Sequence, residues 1–145
     1  MYVNAVILAS LPLAVNAINI VQSNDDGWAE INIRTFYNTL KSAGYGTLIS
    51  APAENKSGTG STTATPSTLT SACEFNSCPS GSPATGHNAS DANINYVNSY
   101  PATAMEYGID TFAPEIFGGA PDLAVAGPNV GSQSALLPTK VECFR

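Results

Sequence analysis

Short apolar runs alternate along this chain with longer stretches in which apolar residues return every third or fourth position. Those two periods predict strands and helices in turn. Ile18-Asn19-Ile20-Val21-Gln22 reads as a short buried strand, cut off at Ser23-Asn24-Asp25-Asp26-Gly27. From 28 to 43, Ala29, Ile33, Phe36 or Tyr37, Leu40 and Ala43 keep the spacing of one buried helix face, with Glu30, Arg34, Asn38 and Lys41 opposite. Gly44 then supplies a left-handed cap. Thr47-Leu48-Ile49-Ser50 is a second strand, closed by Ala51-Pro52. Strand, helix and strand in that order form a right-handed crossover with the two strands parallel, so the fold class is α/β. From 53 to 91 periodicity gives way to Ser, Thr, Gly and Pro. So long a connection is unusual in a compact domain, which leaves an extended hairpin excursion or a mobile functional loop. Order returns with a strand at Ile94-Asn95-Tyr96-Val97 and a helix opened by Pro101 that carries Ala104, Met105, Gly108, Ile109 and Phe112. A last buried strand, Pro121 to Gly127, ends in the turn Gly127-Pro128-Asn129-Val130-Gly131.

In an open parallel sheet, ligands bind beyond the carboxyl ends of the strands, and that is where Asp25 and Asp26 fall. Two adjacent carboxylates repel each other. Keeping both ionised calls for a cation between them, and a hard divalent metal with oxygen ligands fits best. Asp25 and Asp26 are therefore candidate metal ligands. The alternative is that Asn24 or Asp25 only caps the helix that follows.

Composition narrows the partners and the compartment. The chain has 145 residues, room for one domain, with 43% hydrophobic and 11% charged residues and a formal net charge of −6. Its five basic residues are scattered, which argues against a nucleic acid polymer as partner, since phosphate-backbone binding needs clustered Lys and Arg. Ala5 to Val15 is an uncharged apolar run of signal-peptide length, and Val15-Asn16-Ala17 suits a cleavage site. The run is too short to span a bilayer and contains Pro12, so no membrane role is expected. The reading is a secreted protein. Of three cysteines, Cys73 and Cys78 are close enough to staple a small loop and Cys143 is left over. Asn55-Lys56-Ser57 and Asn88-Ala89-Ser90 are glycosylation acceptor triplets. The one histidine, His87, rules out a zinc signature and is expected to be an exposed loop residue.

Three strand ends, in order, carry a further pattern: Ser23-Asn24-Asp25-Asp26-Gly27; then Ala51-Pro52 followed by Ser57-Gly58-Thr59-Gly60; then Pro121-Asp122 and Gly127-Pro128-Asn129-Val130-Gly131. Each piece is short, but the ordered trio resembles the SurE family of survival-protein phosphatases, especially its secreted fungal acid phosphatases. The resemblance runs from Ile18 to about Ser132, loosely between 61 and 91. It divides the chain into a signal segment at 1–17, an α/β domain at 18–132 and a divergent tail at 133–145. It implies a Rossmann-like parallel sheet with flanking helices, and a metal-dependent phosphomonoesterase acting on small molecules such as nucleoside monophosphates. Carried over residue by residue, the ion (Mg²⁺ or Mn²⁺, with Ca²⁺ as a third choice) is held by Asp25, Asp26, Ser57 and Asn129. The catalytic set is Asp25, Asp26 and Asn129. The metal would polarise a phosphoryl oxygen and acidify a bound water, while backbone N–H groups of Gly58, Thr59 and Gly60 form an anion nest for the substrate phosphate. Full-length relatives are homo-oligomeric.

The pattern breaks after Ser132, with Gln133 where an asparagine is common. The later phosphate-contacting segment and the oligomerising arm of the family have no counterpart. The expectation is a domain truncated relative to the family, with an open sheet edge, that keeps the metal half-site and has lost part of the catalytic apparatus. Two competing readings are a non-catalytic secreted α/β fragment that binds a partner through its Ser/Thr-rich loop, and a carboxylate-metal glycosyltransferase.

Overall fold

The computed structural model describes residues 17–131 and the backbone of 142–144. Apart from Ala17, the signal segment read at 1–17 lies outside these residues, as does most of the tail at 133–145. The strands are β1 (Asn19–Ser23), β2 (Gly46–Pro52), β3 (Thr85–Asn88), β4 (Asp91–Val97), β5 (Leu123–Ala126) and β6 (Glu142–Phe144), in one sheet of order β3-β4-β2-β1-β5-β6. The four central strands β4, β2, β1 and β5 are parallel, and β3 and β6 flank them antiparallel. This is the α/β class that the alternation of periods predicts, in the Rossmann-like arrangement that the family resemblance implies. The open edge expected beside the last parallel strand is occupied instead, because β6 pairs with β5.

Helix α1 (Ile31–Ser42) covers one face of the sheet. The other face is covered by α2 (Pro101–Tyr107), a single π-helical turn (Gly108–Phe112) and α3 (Ala113–Phe117). The two faces can be followed along β2: Ile49 and Ala51 pack with Ile33, Tyr37, Ile94 and Tyr96, whereas Leu48 packs with Val21 and Ala113. The chain sets down β1, β2 and β4 in one direction and then crosses back to place β5 on the free side of β1. The strand order therefore reverses between β1 and β5, the crevice in which folds of this class bind ligands.

Helix α1 begins at Ile31, three residues later than its apolar spacing predicts. Residues 28–30 are held as a turn instead: Gly27 has φ +111, the Trp28 N–H donates to the Pro52 carbonyl at 2.8 Å, and the Glu30 carboxylate caps the helix by accepting from the Asn32 N–H at 2.6 Å. The buried face is narrower than the pattern suggests, with Ile33 and Tyr37 buried and Ala43 exposed. Arg34, placed by spacing on the polar face, turns back: its Nε donates to the Trp28 carbonyl at 2.6 Å and its guanidinium lies 4.9 Å from the indole centroid. The left-handed cap forms as expected, with φ +89 at Gly44 and the Tyr45 N–H reaching the Leu40 carbonyl at 3.2 Å.

The Ser/Thr-rich excursion is folded onto the α1 side. Leu69 exchanges backbone hydrogen bonds with Gly81 and Ser82, and the Cys73 N–H donates to the Cys78 carbonyl at 2.8 Å; the two cysteine side chains form a disulfide. Leu69, Cys73 and Cys78 join the core around Trp28, whose Nε1 donates to Ser77 Oγ at 3.1 Å. The segment then returns as β3, an edge strand that the sequence pattern had not marked. His87 stands exposed on it.

Candidate metal centre

The register of the sheet brings the two ends of the site together. Ser23 pairs with Ala126, and the Gly127 N–H donates to the Ser23 carbonyl at 2.8 Å, so the residues that follow β1 and β5 are neighbours despite lying about a hundred positions apart. Asn24 shapes the first loop by hydrogen bonding at both ends of its amide to the backbone of Gly27, each at 3.2 Å. It closes the Asp25-Asp26-Gly27 turn rather than capping α1. Asp26 is 4% exposed and accepts from the Val130 N–H at 2.7 Å, while Asp25 is half-buried. Burial pushes the Asp26 carboxyl above its ordinary value, the Val130 N–H pulls the other way, and the charges of Asp25, Glu30 and Glu74 add to the rise.

Asn129 closes the group. With its nitrogen toward the acids it donates to Asp25 Oδ1 at 2.8 Å and to Asp26 Oδ2 at 3.1 Å. Turned the other way, the same amide sets a third oxygen at those distances from two carboxylate oxygens, an arrangement that only a cation makes favourable. The donor set therefore fits a hard divalent ion. No cluster of three or more His, Cys, Asp or Glu side chains gathers among the described residues, so the remaining ligands would be neutral oxygens.

The loop that leaves β2 docks beside the acids. The Lys56 N–H donates to the Asp25 carbonyl at 2.7 Å, and the Ser57 N–H donates to Asn55 Oδ1 at 2.8 Å. Ser57 is exposed. Its backbone is brought to the site, but the structure links its hydroxyl to neither carboxylate. Gly58 and Gly60 take positive φ, +80 and +55, as an anion nest requires. The Thr59 N–H, however, is engaged inside the loop with the Lys56 carbonyl at 3.3 Å. Asp25, Asp26 and Asn129 are thus assembled at one point, and 56–60 form a rim beside them. A separate groove of about 400 Å³ runs between Thr63, Thr65 and the α2 residues Thr103 and Tyr107; the acids do not line it.

Comparison with known proteins gives the family. The family model for survival protein SurE matches residues 20–137. The chain belongs to the SurE family. It is 40% identical over 126 residues to a protein of Yarrowia lipolytica named acid phosphatase, an alignment that covers 85% of this chain and 35% of that relative. The chain thus spans about a third of the length of the curated relative it matches. No solved structure matches the chain. The family region contains all three strand ends that the sequence pattern singled out, and it extends a few residues past the point where that pattern stops.

Proposed function

We propose that this chain carries the metal-binding half of a secreted, metal-dependent phosphatase that acts on small phosphate monoesters such as nucleoside monophosphates. The meeting of Asp25, Asp26 and Asn129 at the strand switch point supports this reading most directly. Family membership and the acid phosphatase name of the Yarrowia lipolytica relative support the reaction class. The Cys73–Cys78 disulfide agrees with a compartment outside the reducing cytosol.

When bound, Mg²⁺ or Mn²⁺ supplies Lewis acidity toward a phosphoryl oxygen and a water acidified enough to attack phosphorus. The residues of the chain have simpler duties. Asp25 and Asp26 hold charge at the site, the Val130 N–H orients Asp26, and Asn129 turns its amide to present oxygen or nitrogen as the charge between the acids requires. Gly58 and Gly60, whose backbone takes the left-handed turn, offer N–H groups to a substrate phosphate, and Ser57, at the start of that loop, would add a neutral oxygen to the metal, as the family resemblance implies. His87 lies on the edge strand β3 and takes no part.

The test is phosphate release from a nucleoside monophosphate or p-nitrophenyl phosphate in the presence of Mg²⁺ or Mn²⁺, with metal affinity measured by calorimetry. Asp25→Asn is expected to lower turnover by about 100-fold or more, the scale on which removal of one electrostatic group acts, and to weaken Mn²⁺ binding in parallel. Wild type and Asp25→Asn equally inert, with no heat of metal binding in either, would overturn the proposal.

A further inference from the structure

The acids at the switch point solve one electrostatic problem and create another. The charges of Asp25, Glu30 and Glu74 all act on Asp26, so a dianionic phosphate ester approaches this acidic corner against its own sign. Few cations are available to counter this. Of the five basic residues of the chain, Lys140 and Arg145 lie outside the described residues. Arg34 is held by the Trp28 carbonyl and indole, and Lys41 is paired with Asp91 at 2.9 Å near the opposite ends of the strands. That leaves Lys56.

Its placement is unusual. The Lys56 backbone is fixed from both sides: the N–H donates to the Asp25 carbonyl, and the carbonyl accepts from Thr59 N–H at 3.3 Å and Thr59 Oγ1 at 2.7 Å. A lysine whose backbone is anchored to that of an acidic residue is well placed to pair with the acid's side chain. Lys56 does not: it makes no ion pair among the described residues, and its ammonium is turned to the face of Tyr100, 5.9 Å from the ring centroid. An aromatic face holds an ammonium in direction without taking its charge. The ammonium does not neutralise the acids and has no carboxylate partner of its own among the described residues, and both groups belong to loops at the carboxyl ends of the strands.

We propose that Lys56 is the anion-binding arm of this site, its ammonium taking a non-bridging oxygen of the substrate's phosphoryl group, with Tyr100 as the positioning residue that keeps it out of the acid pair. The inference rests on the phosphatase reading for its substrate. It also gives the engaged amide of Thr59 a consequence: where one N–H of the nest is already in use, the lysine supplies the missing attraction as a full charge.

The experiment uses the whole chain, with inorganic phosphate as the probe and calorimetry as the readout, in the presence of Mn²⁺; Mn²⁺ binding alone is measured first. Lys56→Met keeps the aliphatic stem and removes the charge. It is expected to weaken phosphate binding roughly 10-fold to 100-fold, the range for a hydrogen bond to a charged group, and to leave Mn²⁺ affinity and thermal stability unchanged. Lys56→Arg should retain most of the phosphate affinity. Tyr100→Phe should behave as wild type, and Tyr100→Leu should fall between wild type and Lys56→Met. Phosphate affinity equal in wild type and Lys56→Met, or no phosphate binding by wild type, overturns the assignment of Lys56. Wild type that binds no Mn²⁺ overturns the metal centre instead, and in that case phosphate binding still lost in Lys56→Met would leave the lysine assignment standing.

Discussion

At the scale of single residues, the site gathers charges that oppose folding. The Asp26 carboxyl is buried beside a second acid, and its raised pKa means that the native state holds the proton more tightly than the unfolded chain does. The sign follows from proton linkage: a group whose folded pKa lies above its unfolded value stabilises the fold at pH below the unfolded value, and that contribution is lost as pH rises through the folded one. Metal-free Asp26→Asn is therefore expected to melt higher than wild type at neutral pH. The difference should close as the pH falls into the range where Asp26 itself is protonated. Saturating Mn²⁺ should reverse the order at neutral pH, by stabilising wild type and not the variant. Melting temperatures across pH, with and without Mn²⁺, check both. Gln22 is a second residue of this kind: it is fully buried in β1, and neither atom of its side-chain amide has a partner among the described residues.

At the scale of elements, two closures fix where the loops can go. On the α1 side, the Tyr37 hydroxyl and the Lys41 ammonium both reach Asp91 Oδ2 at 2.9 Å, tying the helix to the first residue of β4. Burial alone would raise the Asp91 carboxyl, but the hydrogen bonds from Lys41, Tyr37 and the Asn93 N–H outweigh it and hold the group below its ordinary value. On the other side, the π turn brings Gly108 so close to the sheet that an added Cβ would stand 2.6 Å from Val21 Cγ1 and 2.8 Å from Ser50 Cβ. Ser50 Oγ meanwhile donates to the Ala104 carbonyl at 2.6 Å. Gly108→Ala is expected to destabilise the chain by about 1 kcal/mol or more, because overpacking against a fixed Cβ exceeds the gain in helix propensity. Chemical denaturation measures it. The helix spacing of Ala104, Met105 and Ile109 is legible in the sequence. The need for a glycine among them depends on which strand lies beneath.

At the scale of the molecule, the long Ser/Thr-rich excursion is a wall of the domain rather than an appendage. The disulfide loop buries Cys73 and Cys78 against Trp28, and Ser77 accepts the indole N–H. Trp28 in turn follows the acid turn directly and is the only tryptophan in the chain. Reduction of the disulfide is expected to lower stability by about 2 kcal/mol, the chain-entropy value for so short a loop, and to shift the Trp28 emission to longer wavelength. Fluorescence-monitored denaturation with and without dithiothreitol reads both effects in one experiment.

The sequence by itself determined the α/β class, the order of the parallel elements, the Gly44 cap and the three strand ends at which polar residues interrupt apolar runs. These are local properties, set by the periods of apolar residues and by a few residues with restricted backbone. Its spacing could not set the true start of α1, which a hydrogen bond from Trp28 to the end of β2 displaced, nor the inward turn of Arg34, which an indole ring captured. Only the tertiary structure decided that Asp25, Asp26 and Asn129 share one point, because their proximity depends on β5 crossing back to the side of β1 that β2 leaves free. It likewise decided which cation among the described residues is left unpaired at the rim. A census of the five basic residues would have drawn attention to Lys56, but the ring that turns it away from the acids comes from beyond another strand, forty-four positions along the chain.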